Sequence, residues 1–169
     1  MPVVDPLVRV EIKGLKELQK KNEQLVRNLS GPPLALAMSK AVLIVERAAK
    51  LGAPVNTGRL RASITPEVRP RVRNVQGIVG TNVAYAAPVE YGSRAHWAPI
   101  GPLIRWVHLK QIASPGDERS VAYAVQHAIA RRGTRAHPFL EPAFRNNVER
   151  IQNLLGSAVS MVVSKWGNK

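Results

Sequence analysis

The stretch from about residue 33 to residue 51 limits the fold more than any other part of the chain. Leu34, Leu36, Met38, Ala41, Val42 and Leu43 are followed by Ile44, Val45, Ala48 and Ala49. Wound as a helix, they cover most of its circumference, and only Lys40, Glu46, Arg47 and Lys50 give a polar edge. A helix apolar nearly all round is normally buried, so this one is expected to be central and to lie across a sheet. Gly52 is its natural stop, and Pro54 blocks continuation.

A chain of 169 residues and 18.5 kDa can bury a core around such a helix. Its 45% hydrophobic content is too high for a disordered chain, despite a formal charge of +14. There is no cysteine, hence no disulfide framework, thiol nucleophile or Cys-ligated zinc. That suits a reducing compartment or a fold that needs no staples. No run reaches the roughly 18 consecutive apolar residues of a membrane span. Met1 to Asp5 lack the basic and apolar regions of a signal peptide. Lys and Arg number 25 against 11 Asp and Glu, which favours polyanionic partners: nucleic acid, anionic lipid or acidic protein surfaces.

The remaining elements are read from period and punctuation. Residues 7–13 alternate as a short strand ended by Gly14, and a helix follows with Leu15, Leu18, Leu25 and Leu29 near one face. Ser30-Gly31-Pro32-Pro33 is a stop and restart. In 62–72, Ile64, Val68 and Val72 hold even positions, and Ser63, Thr65, Glu67, Arg69 and Arg71 hold odd ones. Period two sends the first set to the core; Pro66 and Pro70 make this an edge strand. Asn74 turns the chain into a second strand, Val75 to Thr81, giving a hairpin. After a loop around His96-Trp97, helices are expected at about 102–112 and 117–131. A last, long helix runs from Pro138 or Pro142 to Trp166, with its seam packed on the sheet or on another subunit.

Catalytic chemistry finds no foothold. His96, His108, His127 and His137 make no i,i+4 pair and gain no acidic metal partner. The acidic pair Asp117-Glu118 stands where a helix begins, which the helix dipole explains. Glu90 and Glu141 could each act as a general base, without a visible partner. No catalytic, cofactor or metal residue is assigned, and the chain is read as not an enzyme. The basic residues carry more weight. Arg69, Arg71 and Arg73 share one strand face, with Arg59 and Arg61 upstream. A row of guanidinium groups at about 7 Å intervals fits carboxylates of a protein partner, phosphates of DNA, or a solvated edge that deters strand pairing.

Three stretches, taken in order after the long apolar helix, form a recognisable set: Pro54-Val55-Asn56-Thr57-Gly58-Arg59-Leu60-Arg61-Ala62-Ser63-Ile64, Val79 to Ala86 continuing through Val89-Glu90-Tyr91-Gly92, and His137-Pro138-Phe139-Leu140-Glu141-Pro142-Ala143-Phe144. Together, over about residues 8–155, they resemble the tail-component family of tailed bacteriophages, whose members are neck or tail-completion proteins. The family usually has an acidic residue where Asn56 stands, and 97–135 is longer than its minimal pattern.

The fold expected is α+β: a small antiparallel sheet packed against a long central helix and a long C-terminal helix, one domain over 1–169 with a helical insertion at about 97–135. The resemblance implies a structural protein of the virion's head–tail junction, assembled in the bacterial host cytoplasm. It would form a homo-oligomeric ring between head-completion or connector proteins and tail proteins, with non-specific contact to packaged DNA and none to a membrane. Its expected contact residues are Arg59, Arg61, Arg69, Arg71 and Arg73, with Trp97 on a second surface. A basic nucleic-acid-binding module is the alternative, and an enzyme built on Glu90 and a histidine a further rival.

Overall fold

The computed structural model describes residues 15–29, 31–71 and 74–167; the strand expected at 7–13 lies outside them. Helix α1 (Leu15–Leu29) leads into α2 (Pro32–Gly52), with prolines in the first turn of α2, where no backbone donor is missed. A short helix α3 (Arg59–Ser63) precedes the hairpin of β1 (Thr65–Pro70) and β2 (Val75–Gly80). Then come α4 (Ala86–Tyr91), α5 (Ile100–Leu109), α6 (Glu118–Arg132), α7 (Leu140–Arg145) and α8 (Val148–Gly167). Among the described residues the fold is α+β, a two-stranded antiparallel sheet packed against long helices.

The hairpin register pairs Pro66 with Val79, Val68 with Gly77 and Pro70 with Val75. Directly paired residues share a face, so these six form the side that meets α2. Thr65, Glu67 and Arg69 are exposed on the other, as their period predicts. A Cβ added at Gly77 would lie 2.6 Å from Met38 Sδ and 2.6 Å from Val42 Cγ1. The strand therefore approaches the helix as closely as it does because position 77 carries no side chain.

The central helix departs from its expected all-round burial. Ala37, Ala41, Val42, Val45 and Ala49 are buried, facing the sheet, α7 and α8. Leu36, Leu43 and Leu51, on the opposite side, are 60%, 53% and 71% exposed. The sheet and the later helices cover only one side of a helix that is apolar on two. By length and composition the region of α1 and α2 could cross a membrane, but the buried side of α2 supplies the core. That core continues through Ala86, Leu60, Ile64 and Phe139, of which the last three each contribute about 1.5–3 kcal/mol on full burial.

Two sequence boundaries change. Gly58 at φ +80 turns the chain into α3, so the strand expected from residue 62 begins at Thr65. The expected final helix is two: it breaks at Asn146-Asn147, where the Asn147 side-chain amide donates to the Ala143 carbonyl at 2.9 Å. Helix α8 packs on α2 and α1.

Helices α5 and α6 pair with each other, with Val107 and Ala122 fully buried. Their hairpin is closed at its base by a bridge. Ser93 N–H donates to Thr134 O at 3.1 Å, Thr134 N–H donates to Ser93 O at 3.2 Å, and the two hydroxyls lie 2.9 Å apart. Glycines flank the bridge because the backbones touch. A Cβ at Gly133, where φ is +74, would sit 1.9 Å from Ser93 O.

Gly133→Ala should therefore lower stability in chemical denaturation by more than the roughly 1–3 kcal/mol of backbone strain alone. Gly116→Ala, at φ +97 in open space, should show only the strain. Equal losses would mean that the bridge is not the constraint.

Candidate interaction surfaces

Glu90, entertained above as a base, is buried at 4% exposure. Its Oε2 accepts the amides of Phe139 at 2.7 Å and Leu140 at 2.9 Å, and its Oε1 that of Glu141 at 2.9 Å. The carboxylate thus takes up backbone donors at the start of α7, and His137 N–H donates to Val89 O at 2.7 Å beside it. Burial pushes the Glu90 pKa up, but the amides of Leu140, Phe139 and Glu141 outweigh it and hold the carboxyl below its ordinary value of 4.5. A group kept ionised by three amides is a clamp and a poor proton acceptor. Among the described residues no three His, Cys, Asp or Glu side chains gather as a metal site.

The expected arginine row is not continuous. Arg59 and Arg61 are exposed on α3, turned off the line of the strand. Arg69 is the single arginine within β1, and its guanidinium is already engaged: Nε and Nη2 donate to Glu67 Oε1 and Oε2 at 2.6 and 2.7 Å. The hydrogen bond to Arg69 lowers the Glu67 pKa. Arg71 is exposed in the turn, its amide bonded to Asn74 O at 2.8 Å, and Arg73 lies outside the described residues. Trp97 is 65% exposed at the base of the α5–α6 hairpin, its ring edge-on to His127 with centroids 5.1 Å apart.

The sequence reading missed the apolar surface. Besides the outer side of α2, a groove of about 360 Å³ runs between α2, β2 and α7, with Met38, Val42 and Val79 in its wall. Tyr91 and Phe144 line it while 78% and 54% exposed. Tyr91 faces outward, because α4 ends at Gly92, where the chain turns into the bridge.

Residues 34–92 match a family model described as "Bacteriophage HK97-gp10, putative tail-component". This part of the chain is similar to a phage tail-component domain. It takes in nearly all of α2, the hairpin and α4, and it stops one residue before the Ser93 bridge. The first two of the three recognised stretches fall inside the domain and the third, 137–144, outside it. No curated protein matches the chain, and no solved structure does.

Replacing Glu90 tests the clamp that ties this domain to α7. Glu90→Ala should cost about 2–4 kcal/mol in denaturant unfolding, since buried donors lose a charged acceptor, and Glu90→Gln less. The lowered pKa fixes the sign with pH: the native carboxylate's contribution is present above pH 4.5 and is lost as pH falls below it. The stability gap between the wild type and Glu90→Gln should narrow in that window. A gap unchanged down to pH 3 would reject the clamp.

Proposed function

We propose that this chain is a structural protein of the phage head–tail junction, a neck or tail-completion protein that works by assembling with copies of itself and with neighbouring connector and tail proteins around the DNA channel. The observation that carries this reading is the tail-component-like domain over residues 34–92. Surface chemistry supports it. A closed ring needs two different, complementary patches on each subunit. The outer side of α2 and the groove beside Tyr91 and Phe144 are two separate apolar patches on opposite sides of one helix. Exposed Lys40 and Arg47 lie among the leucines and give the first patch a register.

In this reading Arg59, Arg61, Arg69, Arg71 and Arg73 meet neighbouring rings, and Trp97 offers a second contact as an exposed aromatic anchor. Arg69 reaches its partner together with Glu67 and adds little net charge. The formal charge of +14 supports a second reading, a nucleic-acid-binding module, whose signature is a steep fall in duplex affinity with salt. An assembly protein binds duplex weakly and without sequence preference.

Light scattering tests the interface. The wild type should form a multimer, and Leu43→Asp should reduce its mass to that of one chain with an unchanged circular-dichroism spectrum. In a complementation assay, Arg61→Glu with Arg71→Glu should lower the yield of joined particles about tenfold, the effect of losing roughly 1.4 kcal/mol of contact energy. Full joining by that variant, or a wild type monomeric at high concentration, contradicts the proposal.

A further inference from the structure

The three recognised stretches, far apart in sequence, converge on one cleft. The Asn56-Thr57-Gly58 turn with Leu60, then Tyr85 and Val89, then His137 form three of its walls. The fourth wall is α5, through Pro102, Arg105, Trp106 and Lys110. The cleft measures about 900 Å³. Lys110 Nζ donates to Val55 O at 3.1 Å and so ties the α5–α6 hairpin across its mouth to the domain.

The lining has one sign of charge. Arg59, Arg105 and Lys110 are exposed and line it together with His137, and among the described residues no aspartate or glutamate lines it. Its floor is apolar, with Leu60 buried and Val89 and Trp106 half-buried. We infer that this cleft binds a carboxylate-bearing segment of a partner protein: a short acidic peptide with one large apolar side chain seated on Leu60, Val89 and Trp106.

Charge and shape together select that occupant. A duplex carries its phosphates on the outside of a rod too wide for a cleft of this volume. A single strand asks for cations that track successive phosphates and aromatic rings that stack successive bases. Here the cations ring one pocket whose floor is mainly aliphatic. The two guanidinium groups of the lining can each hold a carboxylate with two parallel hydrogen bonds, next to a floor that takes an apolar side chain. The inference is independent of the head–tail reading, since either can fail with the other intact.

The test uses the full-length chain, labelled with ¹⁵N, and a synthetic peptide in which one phenylalanine is flanked on each side by two glutamates. Amide shifts should centre on residues 54–60, 85–89 and 102–110. Arg59→Glu with Arg105→Glu, both exposed, should weaken binding at least tenfold, and Arg105→Gln should weaken it less. Arg131→Glu, an equal charge reversal per site away from the cleft, should leave binding within twofold. Equal weakening by Arg131→Glu, or equal binding of a peptide with alanine in place of phenylalanine, overturns the inference. Tighter binding of a single-stranded oligonucleotide at the same amides also overturns it.

Discussion

The close approach of β2 to α2 at Gly77 is the contact on which the rest of the arrangement depends. With no side chain at that position, Met38 and Val42 can lie against the strand, and the hairpin holds one side of the helix. The two strands among the described residues are too few to wrap a helix 21 residues long. α7 and α8 cover more of the same side, and the leucines of the other side are left outside. A sheet this small therefore leaves an apolar stripe of α2 exposed. The same geometry that builds the core exposes the outer stripe.

A second constraint ties the parts together. Glu90 stands near the end of the tail-component-like domain, and its carboxylate collects three amides from residues 49 to 51 positions later in the chain. Between these points the chain leaves for the α5–α6 hairpin and returns through the Ser93–Thr134 bridge. Because both departure and return are fixed by backbone contact and glycine geometry, the hairpin is held at a set position against the Pro54–Arg59 turn. A surface made from both pieces, such as the basic cleft, can then be a defined site.

Much of this was legible where the signal is local. Period two with Pro66 and Pro70 gave the edge strand, and Gly31-Pro32-Pro33 gave the start of α2. α6 ends within a residue of its expected boundary, with Arg131 and Arg132 at the negative end of its dipole. What stayed hidden depends on distance or on conformation. Hydropathy cannot say which of two apolar sides of α2 a small sheet will cover. Gly58 signals a turn, but not that the turn launches a helix in place of a strand. The acceptor role of Glu90 rests on amides far along the chain. The arginine row is interrupted because a strand's alternation was extended past its ends at Thr65 and Pro70.

In the proposed assembly, the outer side of α2 is the principal contact between subunits. Electron cryomicroscopy of the wild-type assembly addresses that claim directly. The account predicts a closed ring of identical subunits in which Leu36, Leu43 and Leu51 are covered by the neighbouring copy. A ring in which those leucines face solvent, or particles containing only isolated chains, would contradict it.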